Sequence, residues 1–238
     1  MNDLQPWSAP QKPAELAENR LIEAILTNVF PVNSSLPPER ELASLLGVTR
    51  PTLREALQRL ARDGWIEIHH GKSTRVRDYW REGNLLILSA ITRHMKVLPD
   101  DFVPNLLHVR VVLAPEYTRL ALIKSPSEVI RLLESIQDLP DTSEDFTRAD
   151  LNLHTRLTIL SQNPVFTLIF NGFSNLYKVM GQRYFSVSQT RDHSRSFYKK
   201  LLSAALSNDS FLTEEVTRNV MKESLELWTV NRLDFETI

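Results

Sequence analysis

The chain has 238 residues, with 28 basic and 29 acidic side chains and a formal net charge of −1. Hydrophobic residues make up 42% and charged residues 24%, as in ordinary globular proteins with an apolar core. Cysteine is absent, which excludes disulfides and thiolate metal sites. The longest apolar run, LLILSAI at 85–91, is too short to cross a bilayer, and the first residues lack a signal-peptide pattern. We therefore expect a cytoplasmic protein without a membrane partner.

The N-terminal third of the chain predicts helices in close succession. Residues 14–29 form an amphipathic helix, because Leu21, Ile25 and Val29 recur on one apolar stripe. The stretch FPVNSSLPP breaks this helix, and a short helix follows at 39–46.

A third helix begins after a turn of only two residues, Gly47 and Val48. Thr49 is a favourable N-cap for it, and Gly64 ends it. The next stretch, WIEIHHGKSTRV, has two short β-type runs around a turn, which indicates a hairpin. Two helices joined by a minimal turn and followed by a hairpin predict a winged helix-turn-helix over residues 1–77.

The rest of the chain predicts helices only. Apolar stripes at helical spacing run through 102–120 and 166–184, and a final helix spans about 214–231. For the aromatic stripe at 166–184 core packing is the preferred interpretation, although its tyrosines are the better ligand candidates because a buried hydroxyl needs a partner. We expect a mainly α fold, in which a linker at 78–83 leads to an all-α helical-bundle effector domain at 84–238.

One face of the third helix is left free by packing. Leu53 and Leu60 belong to the inward stripe, whereas the opposite face of the first turn carries threonine and arginine. The start of a recognition helix meets phosphates and base edges in the major groove, where arginine binds guanine bidentately. Residues 35–77 also carry eight basic against five acidic side chains. The sequence therefore predicts DNA binding at this helix start, with Arg59 and Arg62 later in the helix assigned to surface or ion-pair roles.

The segment LPPERELASLLGVTRPTLREALQRLARDGWIEIHHGKSTRV resembles the winged helix-turn-helix of GntR-type bacterial transcription regulators. GVTRPTLREALQRLARDGW, NLLHVR and NPVFTLIFNGFSNLYKVMGQRYF are similar to the FadR branch of that family, so the resemblance covers nearly the whole chain. By this resemblance the DNA-contacting residues are Arg40, Thr49, Arg50, Thr52, Arg54, His70, Gly71 and Lys72.

The same resemblance implies an effector, a long-chain acyl-CoA whose tail enters the helical bundle while the CoA lies at its mouth. The positions that match the ligand region of the branch are Arg110, Tyr184, Arg218, Ser224 and Trp228. Met221 stands where the branch tends to have glycine, so its side chain is expected to crowd the ligand. The resemblance further implies a homodimer on a double-stranded operator with two-fold symmetry. Such a regulator represses fatty acid degradation genes and activates unsaturated fatty acid synthesis genes until acyl-CoA releases it.

Asp150 and His154 lie four residues apart, which is the spacing of two metal ligands on one helical face. They resemble the Asp-x-x-x-His of another GntR branch, whose helical domain holds a metal and a small carboxylate effector. That branch has two further histidines, and Tyr198 and Lys222 or Glu223 stand in their places here. We therefore expect no metal cofactor and a structural role for His154, and keep the metal-and-carboxylate regulator as the alternative.

Motifs of enzymes are missing from the sequence. It has no Gly-rich phosphate loop, no nucleophile elbow and no HExxH pattern. A ligand-responsive regulator is therefore predicted rather than an enzyme. A helical interaction protein that contains a winged helix is a further alternative, which salt-dependent DNA binding would exclude.

Overall fold

The structure is a computed structural model that describes residues 12–69, 71–94 and 99–230. The chain divides into two compact units, residues 1–97 and 98–238. Among the described residues, no helix is both long and apolar enough to cross a membrane.

The first unit combines helices with a small antiparallel sheet. Its described elements are α1 (Pro13–Leu26), α2 (Glu39–Leu46), α3 (Arg50–Asp63), β1 (Ile66–Glu67), β2 (Arg75–Val76), α4 (Tyr79–Glu82) and α5 (Leu86–His94). In the sheet, Ile66 pairs with Val76. The apolar faces of α1, α2 and α3 meet in a core that also buries Trp65. The unit is a winged helix-turn-helix, as the sequence predicts.

The helix-turn-helix forms where its capping residues predict it. Thr49 caps α3, because its Oγ1 accepts the backbone N–H of Thr52 at 3.3 Å. Gly47 and Gly64 follow α2 and α3 with φ of 67° and 95°, a left-handed conformation that glycine adopts without steric cost. These caps fix the turn that presents the start of α3 to solvent.

The first helix is shorter than its apolar stripe predicts. α1 ends at Leu26, and Asn28 adopts a left-handed φ of 63°. Asparagine tolerates this conformation, which takes the chain out of the helix. Val29 is consequently 65% exposed and does not continue the stripe.

The compact units divide later in the chain than the predicted boundary at 84. A short helix, α4, lies inside the predicted linker at 78–83, and α5 contacts α1 of the first unit. The physical reason is that α5 has an apolar face, formed by Ile87, Ala90 and Ile91, which is buried there.

The described part of the second unit consists of six helices. They are α6 (Phe102–Lys124), α7 (Pro126–Glu134), α8 (Ser143–Leu160), α9 (Pro164–Tyr184), α10 (Ser188–Leu206) and α11 (Ser210–Val230). α6 lies along α11, and α8 lies along α9. The α8–α9 approach is close, since a Cβ at Gly181 would lie 2.9 Å from Cγ2 of Thr147. α11 begins four residues before the predicted start at 214, after Asp209 accepts the backbone N–H of Leu212 at 2.9 Å.

Candidate functional site

The solvent-facing start of α3 carries cations that the fold does not use. Arg50 is the first residue of α3 and Arg40 the second residue of α2, and both are exposed. Within the described residues neither side chain makes an ion pair or hydrogen bond. The hydroxyls of Thr49 and Thr52 bond to each other at 2.8 Å beside them. This surface offers guanidinium donors and short hydroxyls to an anion.

Arg54 extends the same surface in a fixed orientation. Its Nε donates to Oε2 of Glu39 at 2.8 Å. Because the pair is exposed, it contributes at most about 1 kcal/mol to stability. Its main effect is to restrict the guanidinium while both terminal nitrogens stay without a hydrogen bond in the described part of the chain.

The two arginines that were assigned to surface or ion-pair roles both form ion pairs. Arg59 Nη2 donates to Glu55 at 2.6 Å, and Arg62 Nε donates to Asp63 at 2.8 Å. Among the described arginines of α2 and α3, Arg40 and Arg50 are therefore the two without a hydrogen bond or ion pair.

The hairpin tip lies between β1 and β2, as predicted. Gly71 has a left-handed φ of 72° and is exposed, as is Lys72. Arg75, by contrast, is held inside the unit by Asn33 at 2.6 Å and Glu67 at 3.2 Å. The tip thus presents a small residue and a cation. The predicted DNA contact His70 lies outside the described residues.

The second unit contains a partly open cavity of about 100 Å³ with mostly apolar walls from α6, α9 and α11, and Asp150 of α8 also lines it. All six members of the aromatic stripe of α9 line it: Phe166, Phe170, Phe173, Tyr177, Met180 and Tyr184. Members of the stripe also pack on the apolar core, since Phe170 is buried and Phe166 and Tyr184 contact the core cluster, so one helical face serves both the core and the cavity wall. Apolar residues recur at the same helical spacing whether their face packs on other side chains or lines a cavity. The spacing in the sequence therefore could not distinguish a core face from a cavity wall.

Four of the five predicted ligand residues line this cavity: Arg110, Tyr184, Ser224 and Trp228. Arg218 does not, and its Nη2 donates to Glu214 at 2.6 Å. Met221, which was expected to crowd the ligand, is buried in the helical core and does not line the cavity. The cavity surface is thus set by α6, α9 and the last turns of α11.

A polar cluster lies at the wall of the cavity. Nη2 of Arg110 bonds to Nε2 of His154 at 3.0 Å and lies 3.5 Å from Oδ2 of Asp150. The hydroxyl of Tyr198 donates to Oδ1 of Asp150 at 2.9 Å, and that of Tyr177 donates to Oδ2. The cluster joins α6, α8, α9 and α10 through one carboxylate.

The hydrogen bonds of His154 determine its tautomer. Arginine has only donors, so Nε2 must accept from Arg110, and Nδ1–H donates to the hydroxyl of Tyr117 at 2.7 Å. The imidazole is therefore neutral. Consistently, burial and the nearby guanidinium lower the pKa of His154 to about 4, although Asp150 acts in the opposite direction.

Asp150 remains charged despite its burial. Burial alone would raise its pKa, but the neighbouring His154 and Arg110 and the two tyrosine hydroxyls offset this effect and lower the pKa. The sequence had singled out Asp150 and His154 by their spacing, but it did not connect them with the hydroxyls of Tyr177 and Tyr198, which come from two other helices. Within the described residues, no group of three or more His, Cys, Asp or Glu side chains could hold a metal ion.

Comparison with known proteins identifies both units. Residues 13–76 match the family of bacterial regulatory proteins called gntR, and residues 77–237 match the FadR C-terminal domain. The chain belongs to the FadR family of GntR-type regulators. It is a DNA-binding transcription regulator and not an enzyme.

Relatives of high similarity cover almost the whole chain. The chain is 42% identical over 228 residues to the fatty acid metabolism regulator protein of Shewanella sp. strain MR-7, covering 94% of this chain and 93% of the relative. It is 40% identical to the protein of the same name from Erwinia tasmaniensis, with 92% of each chain covered. Among solved structures, Lar of Listeria monocytogenes, which controls expression of the agr system, shares the fold with a TM-score of 0.60 and 15% identity, covering 94% of this chain and 99% of Lar.

Proposed function

We propose that the chain is a homodimeric, cytoplasmic regulator of fatty acid metabolism, which long-chain acyl-CoA releases from an operator with two-fold symmetry. It represses fatty acid degradation genes and activates unsaturated fatty acid synthesis genes. The observation that carries this proposal is an apolar cavity that ends in an electrically balanced Arg110–Asp150 pair. Relatives at 40–42% identity that are named fatty acid metabolism regulators support it.

The charge balance of the cluster favours a neutral ligand group over a carboxylate. The positive charge of Arg110 is compensated by Asp150, and His154 is neutral. A free fatty acid would bring an uncompensated negative charge into the apolar cavity, which costs several kcal/mol. A thioester brings none, so it leaves the balance between Arg110 and Asp150 unchanged.

The size of the cavity suggests how ligand binding is linked to DNA binding. A cavity of about 100 Å³ is smaller than the 150 Å³ or so that accommodates benzene, so the part of a long acyl chain that lies inside it would enlarge it. Enlargement displaces the aromatic side chains and the adaptable Met180 of α9 relative to α6. A ligand that prefers this expanded arrangement disfavours the arrangement that binds DNA, and the coupling is reciprocal.

The first experiment measures release from DNA. The protein is titrated onto a fluorescent operator duplex, and the complex is challenged with oleoyl-CoA, with free oleate and with CoA. We expect oleoyl-CoA alone to lower the anisotropy to that of free DNA. Release by oleate to the same extent, or no release by the ester, would contradict the acyl-CoA proposal and leave DNA binding untouched.

The second experiment tests base reading by Arg50. The variant Arg50→Ala should lose about 1–3 kcal/mol of operator affinity, or about 5- to 150-fold, and much less affinity for random duplex. Arg62→Ala removes the same charge from the far end of α3, where Arg62 pairs with Asp63, and is the matched control. Equal losses on operator and random duplex would show that Arg50 contacts only phosphates.

The alternative regulator with a metal and a small carboxylate effector is less compatible with this geometry. Arg110 already takes the lone pair of Nε2 of His154, and Tyr198 takes one oxygen of Asp150. A carboxylate effector would also meet the negative charge of Asp150 without a free cation beside it.

A further inference from the structure

The guanidinium of Arg110 lies in the position of a cation that Asp150 and His154 would otherwise chelate. Nη2 of Arg110 is 3.0 Å from Nε2 of His154 and 3.5 Å from Oδ2 of Asp150. Nε2 also lies 3.9 Å from Oδ1 of Asp150, so the guanidinium sits beside an imidazole nitrogen and a carboxylate that are close to each other. Both ligand-type side chains are buried.

Both members of this pair are oriented by hydrogen bonds to tyrosine hydroxyls, as metal ligands are oriented by their outer hydrogen bonds. Nδ1–H of His154 donates to Tyr117, and such an outer hydrogen bond fixes the tautomer in metal-bound histidines. Both oxygens of Asp150 accept from hydroxyls, of Tyr177 and Tyr198. In this tautomer Nε2 carries the lone pair that would bind a metal, and this lone pair instead accepts a hydrogen bond from the guanidinium.

The cluster also performs the structural task of a bound ion. The guanidinium comes from α6 and contacts both ligand side chains of α8, and it lies 4.8 Å from the ring centre of Tyr177 on α9. Through Asp150 the cluster extends to Tyr198 on α10. One positive charge therefore holds four helices around the cavity.

We propose that Arg110 is a built-in substitute for a divalent ion, so that the chain keeps the cation-centred architecture of this pocket without binding a metal. Guanidinium and metal exclude each other. A divalent ion beside Arg110 would place like charges together in an apolar environment with only one carboxylate to compensate them. This inference concerns the pocket alone and does not depend on the identity of the effector.

The proposal is tested by removing the internal cation and offering an external one. Wild type, Tyr198→His, Arg110→Ala and Arg110→Ala/Tyr198→His are stripped with EDTA and titrated with Zn²⁺ and Co²⁺, using calorimetry and the visible spectrum of Co²⁺. Tyr198→His supplies a third ligand in the presence of Arg110, and the double variant supplies it in its absence. Arg156→Ala, an exposed arginine on α8 beyond the cluster, is the control for loss of a positive charge.

We expect no Zn²⁺ binding at micromolar concentrations by wild type, Tyr198→His or Arg156→Ala. The double variant should bind Zn²⁺ at least tenfold more tightly than Tyr198→His, show a tetrahedral Co²⁺ spectrum, and gain thermal stability from the metal. Arg110→Ala should be destabilised and partly rescued by Zn²⁺.

Equal Zn²⁺ affinities of Tyr198→His and the double variant would overturn the proposal, because Arg110 would then not exclude the metal. Zn²⁺ binding by wild type that is lost in Asp150→Asn would overturn it as well. Should the double variant fold only with Zn²⁺, the substitution of one cation for the other is supported. Failure to fold with and without metal would contradict it.

Discussion

Replacement of Tyr198 by phenylalanine removes one hydrogen bond from the centre of the second unit and almost nothing else. The ring is 1% exposed and contacts Phe146 and Phe197, and phenylalanine preserves these contacts. The lost bond runs from the hydroxyl to Oδ1 of Asp150 at 2.9 Å. A hydrogen bond to a charged group contributes about 1.5–3 kcal/mol. We therefore expect Tyr198→Phe to lower the free energy of unfolding by about 2 kcal/mol.

The prediction is measured with a double-mutant cycle. Unfolding in urea at pH 7 is monitored by far-UV circular dichroism for each member of the cycle. The cycle consists of wild type, Tyr198→Phe, Asp150→Asn and the double variant. It separates the interaction energy between Tyr198 and Asp150 from the other effects of losing the hydroxyl. The two effects should be non-additive by at least 1 kcal/mol. A loss below 0.5 kcal/mol in Tyr198→Phe, or additive effects, would refute the assignment of this bond as a charge-assisted contact.

Two further predictions concern protonation and helix packing. The pKa of His154 is about 4 in the folded chain and about 6.5 when unfolded, so protons favour the unfolded state between these values. The contribution of His154 to the free energy of unfolding is complete above pH 6.5 and falls by about 3 kcal/mol as the pH drops to 4. NMR of the imidazole should show a neutral ring at pH 5.5. Titration of the His154 ring near pH 6.5 would contradict this prediction. Gly181→Ala should lower stability in urea unfolding by about 1 kcal/mol, since its Cβ meets Cγ2 of Thr147 at 2.9 Å while alanine gains helix propensity. In a Thr147→Ser background, which lacks Cγ2, the same substitution should become neutral or stabilising, and an unchanged loss there would exclude this contact as the cause.

The winged helix-turn-helix was predictable because its signals are local. Thr49, Gly47 and Gly64 act within one or two turns of their own positions, and each adopts the conformation that its residue type favours. The ion pairs of Arg59 and Arg62 are equally local, with partners four residues and one residue away. Short-range chemistry of this kind can be read from the order of residues alone.

The pocket was predicted only in part, because its contacts are long-range. The bond from Arg110 to His154 spans 44 residues, and the bond from Tyr198 to Asp150 spans 48. The i, i+4 spacing of Asp150 and His154 correctly placed them on one face of α8 but contained no information about the guanidinium between them. Likewise, amphipathic spacing identifies the face of a helix that points inward, but it does not show whether that face packs on other side chains or lines a cavity.

Arg75 at the base of the hairpin connects segments that are distant in the chain. Its terminal nitrogens bond to Asn33, ahead of α2, to Glu67 in β1 and, at 3.1 Å, to Glu82 in α4. The helix α4 lies immediately after the hairpin, on the route by which the chain leaves the DNA-binding elements. One side chain therefore ties that exit segment both to the hairpin and to the chain ahead of α2.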